Sequence, residues 1–403
     1  MSAAALPDAT HIRLSLFCAA MLIGIGIYLP FFPVWLSARG LAETDIGLVL
    51  AVPSLIRLFV NPPVTALADR RGAVPYVLAC CAGATCLLYA LLGFASGFWP
   101  IFIGVVAIAC AQGPIIPLSD TLIFARIRRA AATPGAASLD YASIRAWGSA
   151  VVLAGMVVGG PLVGLAPKPA IVWILVALAA LTALAAIAMA RSALPDMASA
   201  VAATPAAAPR PGNLWLGVAI ISAAALIQSS HGLFYAFATL DWQAQGYSDA
   251  TIGLFWATGV VSEVVFFLLA RRVFGGETRA MTFLILGGAA AALRWCGMIL
   301  GPGPLLLAAL NLTHSLTFAA THLGSVTLLA HFVEPERRAQ AQGWLAAAIS
   351  VSLFAVTALS GPLHQARGAF AYAIMAAIAL SGLGMALAAS AIRAGHRRNL
   401  SLG

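Results

Sequence analysis

Polar positions along this chain are gathered into short islands, and between them run apolar stretches of about twenty residues, the length that crosses a bilayer as a helix. Leu14 to Leu36 is the first. These runs lack the period-two alternation of a membrane β-strand, so the chain reads as an all-α membrane protein whose helices satisfy their own backbone groups in hydrocarbon. Cutting at charged and Gly/Pro-rich breaks predicts twelve transmembrane helices, near 13–38, 45–67, 74–94, 99–126, 142–164, 169–190, 214–240, 250–270, 279–300, 304–330, 342–362 and 369–392. The longest polar break, 191–213, is rich in Ala and Pro and poor in long apolar side chains, which predicts a cytoplasmic linker between six-helix bundles at 1–190 and 214–403.

The two halves repeat. Gly40, Ile46, Gly47 and Leu48 recur 206 residues later as Gly246, Ile252, Gly253 and Leu254, each set preceded by an aromatic helix end at Trp35 or Trp242. Gly160-Pro161-Leu162 is echoed in the same order by Gly361-Pro362-Leu363. Ordered matches of this kind indicate duplication, and parallel six-helix repeats are expected to hold a solute path between them near the midplane.

Composition agrees with a lipid solvent: 62% of the 403 residues are hydrophobic and only 9% are charged, too few to cover a water-soluble globule. The formal charge of +9 is spread through short clusters and forms no continuous basic face, so it argues against a nucleic-acid partner. With both termini cytoplasmic, most Lys and Arg fall on the cytoplasmic side; Arg39, Lys168 and Arg367 fall outside, and Arg57 and Arg294 fall within spans. All six cysteines sit inside apolar runs without a C-x-x-C pair, which fits inert thiols better than disulfides or metal ligands. The first hydrophobic stretch has neither a basic leader nor a cleavage site and is expected to be a retained helix.

Ionisable groups inside the spans are the functional candidates, because each is costly in hydrocarbon unless it meets a partner or a wet cavity. Glu263 lies about thirteen residues into the eighth span, about 20 Å from its end. A carboxylate there, near a cation that comes and goes, suits loading and release of a proton; the alternative is a permanent ion pair with Arg294 of the ninth span. His314 and His322, eight residues apart on the tenth span, are expected on nearly one face, placed to relay a proton or bind a solute, or else to pack as satisfied core groups. His231 and Tyr235 give the seventh span a similar face. In the first half Asp120, after Pro114 and Pro117, is expected to pair with Arg145, with direct solute contact as the alternative. Tyr28 and Phe31, beside Pro30 and Pro33, and Trp256 are candidates to stack on a ring-shaped solute. Arg57 stands at the repeat offset from Glu263 and has no assigned role. No H-E-x-x-H or Cys/His cluster points to a metal, and no G-x-S-x-G motif points to a membrane-embedded enzyme.

Asp69-Arg70-Arg71-Gly72, between the second and third spans, resembles the D-R-x-G core of the signature loop of the major facilitator superfamily, with Thr65 at the usual leading glycine. Over nearly its whole length the chain is similar to the 3-phenylpropionate permease branch, related to the lactose and oligosaccharide proton symporters. The most specific stretches are Tyr28 to Leu36, Pro117 to Asp120, Asp140-Tyr141 with Arg145 to Ser149, His231 to Tyr247, Gly259 to Val264, Arg294-Trp295, and His314 with His322. The resemblance implies alternating access and proton symport, with Glu263, Arg294 and His322 in places similar to the coupling residues of the sugar symporters and Glu263 as the leading proton site; His314, on the same span as His322, is counted with them, and Asp69, Arg70 and Gly72 are taken as a cytoplasmic gate loop. The tenth span lacks a second carboxylate between His314 and His331, unlike the sugar carriers, which argues against a sugar.

The expectation is therefore a monomeric symporter of the bacterial inner membrane that moves an aromatic or carboxylated solute, with protons as coupling ion and no other cofactor. Its solute contacts would be Tyr28, Phe31, Asp120, Arg145, His231, Tyr235 and Trp256. A sugar or nucleoside symporter and a proton-driven exporter are the alternatives.

Overall fold

The computed structural model describes residues 9–132, 139–191, 214–273, 276–334 and 337–402, and every regular element among them is a helix. The linker expected at 191–213 falls outside them except for Arg191. The helices are α1 (Ala9–Ala38), α2 (Glu43–Arg70), α3 (Val74–Gly93), α4 (Phe98–Gln112), α5 (Ile115–Ala132), α6 (Tyr141–Leu165), α7 (Ile171–Arg191), α8 (Leu214–Ser229), α9 (Gly232–Ala244), α10 (Asp249–Val273), α11 (Gly276–Ile299), α12 (Pro304–Leu312), α13 (Thr321–Phe332), α14 (Arg338–Arg367) and α15 (Tyr372–Leu402). A π-helical turn, Ser315–Ala320, joins α12 to α13.

Eleven helical stretches among the described residues are apolar and long enough to cross a membrane. The last, Gln340–Gly395, has 56 residues; at 1.5 Å per residue it is about 84 Å long, more than twice the ~30 Å hydrocarbon core. Gly368, with φ 53°, divides it into α14 and α15, so the helical passes match the twelve read from the sequence. Three spans are each made of two helices. The fourth breaks between α4 and α5 at Gly113-Pro114, the seventh between α8 and α9 at Ser230-His231, and the tenth at the π turn. The first does not break: α1 runs through Pro30 and Pro33.

Two compact units emerge. One comprises Met1–Leu41, Ile56–Val201 and Tyr247–Leu254; the other comprises Ala42–Leu55, Ala202–Gly246 and Phe255–Gly403. In the first, α1 packs along α6 and α7, and α3 along α7, around a core that includes Leu14, Phe17, Leu118, Leu122 and Ile144. In the second, α15 packs on α11 and α8, and α14 on α8 and α9. Large side chains such as Leu165, Phe94 and Leu305 are exposed on the helix surfaces, which is where lipid rather than water accounts for them.

The repeated residues have repeated jobs. Gly40 and Gly246 both adopt positive φ, 77° and 86°, at the turn that ends an aromatic-tipped helix. Gly160 of the first unit lies against the Asp249 carbonyl, and a Cβ there would stand 2.9 Å from Ala250 Cα; Gly361 of the second unit lies in the same way against the Glu43 carbonyl and Thr44. Backbone faces backbone at both places, so a side chain cannot be accommodated by rotation alone.

Candidate functional site

In the second unit α10, α11 and the α12–α13 span bring Glu263, Arg294 and His314 into one row. Arg294 is buried, 1% exposed, on a helix whose neighbouring positions are Leu293 and Trp295. It donates from Nη2 to Asn311 Oδ1 at 2.8 Å and from Nη1 to His314 Nδ1 at 3.3 Å. Its guanidinium carbon lies 4.4 Å from the Phe234 ring centre and 4.9 Å from that of Trp295, a position that the negative faces of both rings favour. Asn311 Nδ2 donates in turn to the Phe255 carbonyl at 3.0 Å, which fixes the amide orientation and ties α12 to α10.

A guanidinium only donates, so His314 Nδ1 must accept and the proton of the neutral ring is on Nε2. That nitrogen stands 3.9 Å from Glu263 Oε2. The permanent ion pair of Glu263 with Arg294 that stood as the alternative is not formed among the described residues: His314 stands between them. The histidine enters because it sits at the start of the π turn, whose wider winding moves the following residues off the stripe that α-helical spacing gives. His322, beyond that turn, is exposed and belongs to no part of this row.

His231 is fully buried at the α8–α9 break. Its Nδ1 donates to the Gln228 carbonyl at 3.1 Å and its Nε2 accepts from the Thr317 hydroxyl at 2.9 Å. Both ring nitrogens are occupied, so it braces the broken seventh span against the π turn. Its ring stacks on Tyr235 at 5.6 Å, and Tyr235 stacks on Trp256 at 6.3 Å. Trp256 donates to Thr239 Oγ1 at 2.9 Å. Tyr235 is half-buried and the other two are buried, so Tyr235 is the open edge of this aromatic group.

In the first unit the Tyr141 hydroxyl, from the residue that opens α6, donates to Asp120 Oδ1 at 2.9 Å. Burial, and then this bond to a carboxylate, push the Tyr141 phenol up to about 12. Arg145 turns to the Cys18 thiol on α1 and does not form the expected ion pair with Asp120, whose oxygen the phenol has taken. Phe31 is fully buried, with no face open to a solute. It lies on an unbroken α1 on which Tyr28, Phe32 and Trp35 stack on one another, at 4.7 and 5.5 Å. Tyr28 alone of these rings lines a cavity of about 430 Å3. Asp69 and Arg70 are exposed at the end of α2, and Gly72, with φ 58°, turns the chain toward α3.

Asn311, which holds the Arg294 guanidinium, is the member of this row that the sequence reading does not single out. It lies three residues before His314, one turn away on the same helix face, and that spacing was the available signal.

Residues 11–373 match the family described as the MFS_1 like family. The chain is 27% identical over 371 residues to the probable 3-phenylpropionic acid transporter of Escherichia coli (strain K12), covering 89% of this chain and 92% of that one. In fold it is similar to the nucleoside transporter NupG, with TM-score 0.77 at 17% identity, covering 95% of this chain and 99% of that chain. It is also similar to a variant of the peptide transporter POT in complex with alafosfalin, with TM-score 0.70 at 13% identity, covering 95% and 93%.

Proposed function

We propose, from the premise that the chain belongs to the MFS_1 like family, that it is a proton-coupled symporter of a small aromatic organic acid. Its family and relatives are transporters, so the chain is a multi-pass membrane transporter and not an enzyme. The similarity to a probable 3-phenylpropionic acid transporter supports the solute class and a bacterial inner-membrane location, with both termini cytoplasmic as the charge distribution expects.

One observation carries the coupling: His314 stands between the Glu263 carboxylate, 3.9 Å from its Nε2, and the buried Arg294 cation, with its Nε2 proton on the carboxylate side. Glu263 is about one quarter exposed, open enough to exchange a proton. Arg294 is held by Asn311 and two aromatic rings and is closed to solute. In this reading Glu263 is the proton site, His314 presents its Nε2 proton to the ionised carboxylate, and Arg294 fixes the tautomer of His314 as a positioning residue. Alternation between protonated and ionised Glu263 biases the carrier between its access states, because an ionised carboxylate needs partners in hydrocarbon that a neutral acid does not.

The test is uptake of labelled 3-phenylpropionate into proteoliposomes of the full chain under an imposed inward proton gradient. Accumulation above the bath that collapses with a protonophore is expected. Accumulation that survives the protonophore overturns the coupling, and accumulation of a nucleoside or sugar in place of the acid overturns the solute class.

A further inference from the structure

Arg57 has no place in the coupling row. It lies 14 residues into the 28-residue α2, about 21 Å along it and so near mid-span. Among the described residues it makes no hydrogen bond and no ion pair. An arginine stays charged at any working pH; Arg57 is exposed to the cavity it lines, and among the described residues no carboxylate of this chain pairs with it, so it is free to meet an anion there.

Its surroundings form a site. Arg57 lines the cavity of about 430 Å3 in the first unit together with Asn61, Tyr28, Tyr89 and Gln112, and the rest of the lining is mostly apolar. The charge of Arg57 reaches both phenols, and Gln112 faces that of Tyr89. Asn61 Oδ1 is buried with no hydrogen-bond partner. An unpaired donor fork and an orphaned acceptor share one cavity, in a range of volumes that small-molecule pockets occupy. Gly113, at the α4–α5 break, leaves room for both side chains: a Cβ there would come within 2.6 Å of Asn61 Oδ1 and 3.0 Å of Arg57 Cγ.

We propose that this cavity is a carboxylate subsite, in which Arg57 forks onto the carboxylate of the transported acid while Tyr28 and Tyr89 flank its apolar body. The subsite rests on the organic-acid reading above and deepens it. It separates the two tasks in the chain, with the anion held by Arg57 in the first unit and the proton by Glu263 in the second. It also accounts for the inverse charges at the repeat offset, since 57 and 263 differ by 206.

The experiment measures binding to the purified full chain in nanodiscs, using 3-phenylpropionate and its uncharged isostere 3-phenylpropionamide, for the wild type, Arg57→Gln, Arg57→Lys and Gly113→Ala. The subsite predicts that Arg57→Gln weakens acid binding about tenfold to a hundredfold, the worth of a charge-assisted hydrogen bond, and weakens amide binding much less, because the uncharged amide offers the guanidinium only a neutral carbonyl acceptor. Amide binding shows that the variant is folded. Arg57→Lys should recover part of the loss, and Gly113→Ala should weaken the acid more than the amide. Acid binding equal in wild type and Arg57→Gln overturns the subsite and leaves the organic-acid reading standing. A wild type that binds neither compound overturns that reading, and the subsite with it.

Discussion

Replacing Asn311 by Leu tests the support of the buried cation. The side chain is 1% exposed and of nearly the same size as leucine, so the change removes hydrogen bonds without opening a large cavity. Two bonds go: the 2.8 Å bond from Arg294 Nη2 and the 3.0 Å bond to the Phe255 carbonyl. Hydrogen bonds between membrane helices average about 0.6 kcal/mol and reach about 1.7 kcal/mol. The first is charge-assisted, and its loss leaves a second unsatisfied nitrogen on a guanidinium whose Nε already lacks a partner. The expected cost is about 2–3 kcal/mol, read from unfolding of the purified protein in mixed micelles. The double variant Arg294→Met with Asn311→Leu removes donor and acceptor together and should cost less than the two single changes added, by about 1 kcal/mol or more. A single-variant loss below about 0.5 kcal/mol, or strict additivity, refutes the reasoning, since Arg294 would then not depend on Asn311.

Three further outcomes are expected. Tyr141→Phe should lose about 0.5–1.5 kcal/mol with the Asp120 bond; because the phenol is pushed up to about 12 from 10, that contribution is complete below pH 10 and lost between there and pH 12, so the difference in melting temperature from wild type should be flat from pH 6 to 9. A difference that changes within that range contradicts it. Gly160→Val sets a side chain against the Asp249 carbonyl and Ala250 and should cost about 1–3 kcal/mol by overpacking, again read from unfolding; a neutral result would mean that the backbones separate freely. One proton carried with one monocarboxylate moves no net charge, so accumulation should rise about tenfold per unit of pH gradient and not respond to a potassium-diffusion potential in proteoliposomes. A clear voltage response contradicts that stoichiometry.

The fold was legible because hydrocarbon leaves the backbone so few options. Apolar runs bounded by charge and glycine located the spans to within a few residues, and the paired glycines at 40 and 246 recur with the same positive φ. The site was legible in its membership more than in its wiring. Glu263, Arg294 and His314 stood out because each is expensive at its depth, but that cost says nothing about which group meets which. The direct Glu263–Arg294 pair was displaced by His314 through a π turn, which depends on packing and leaves no mark in periodicity. Asp120 and Arg145 were matched by charge alone, whereas the nearer Tyr141 hydroxyl takes the carboxylate. Phe31 had the same apparent claim on a solute as Tyr28, and only the rotation of an unbroken α1 separates them. Arg57 showed its depth in the repeat offset, while its cavity needed α1, α3 and the α4–α5 break brought together around it.

Everything proposed for the transport cycle depends on the Glu263 carboxyl being where the proton enters. In proteoliposomes of Glu263→Gln, whose amide imitates the protonated acid, counterflow of labelled 3-phenylpropionate against unlabelled compound should persist while accumulation driven by a pH gradient falls to the level of the bath. Gradient-driven accumulation equal to wild type in that variant would place proton coupling elsewhere in the molecule.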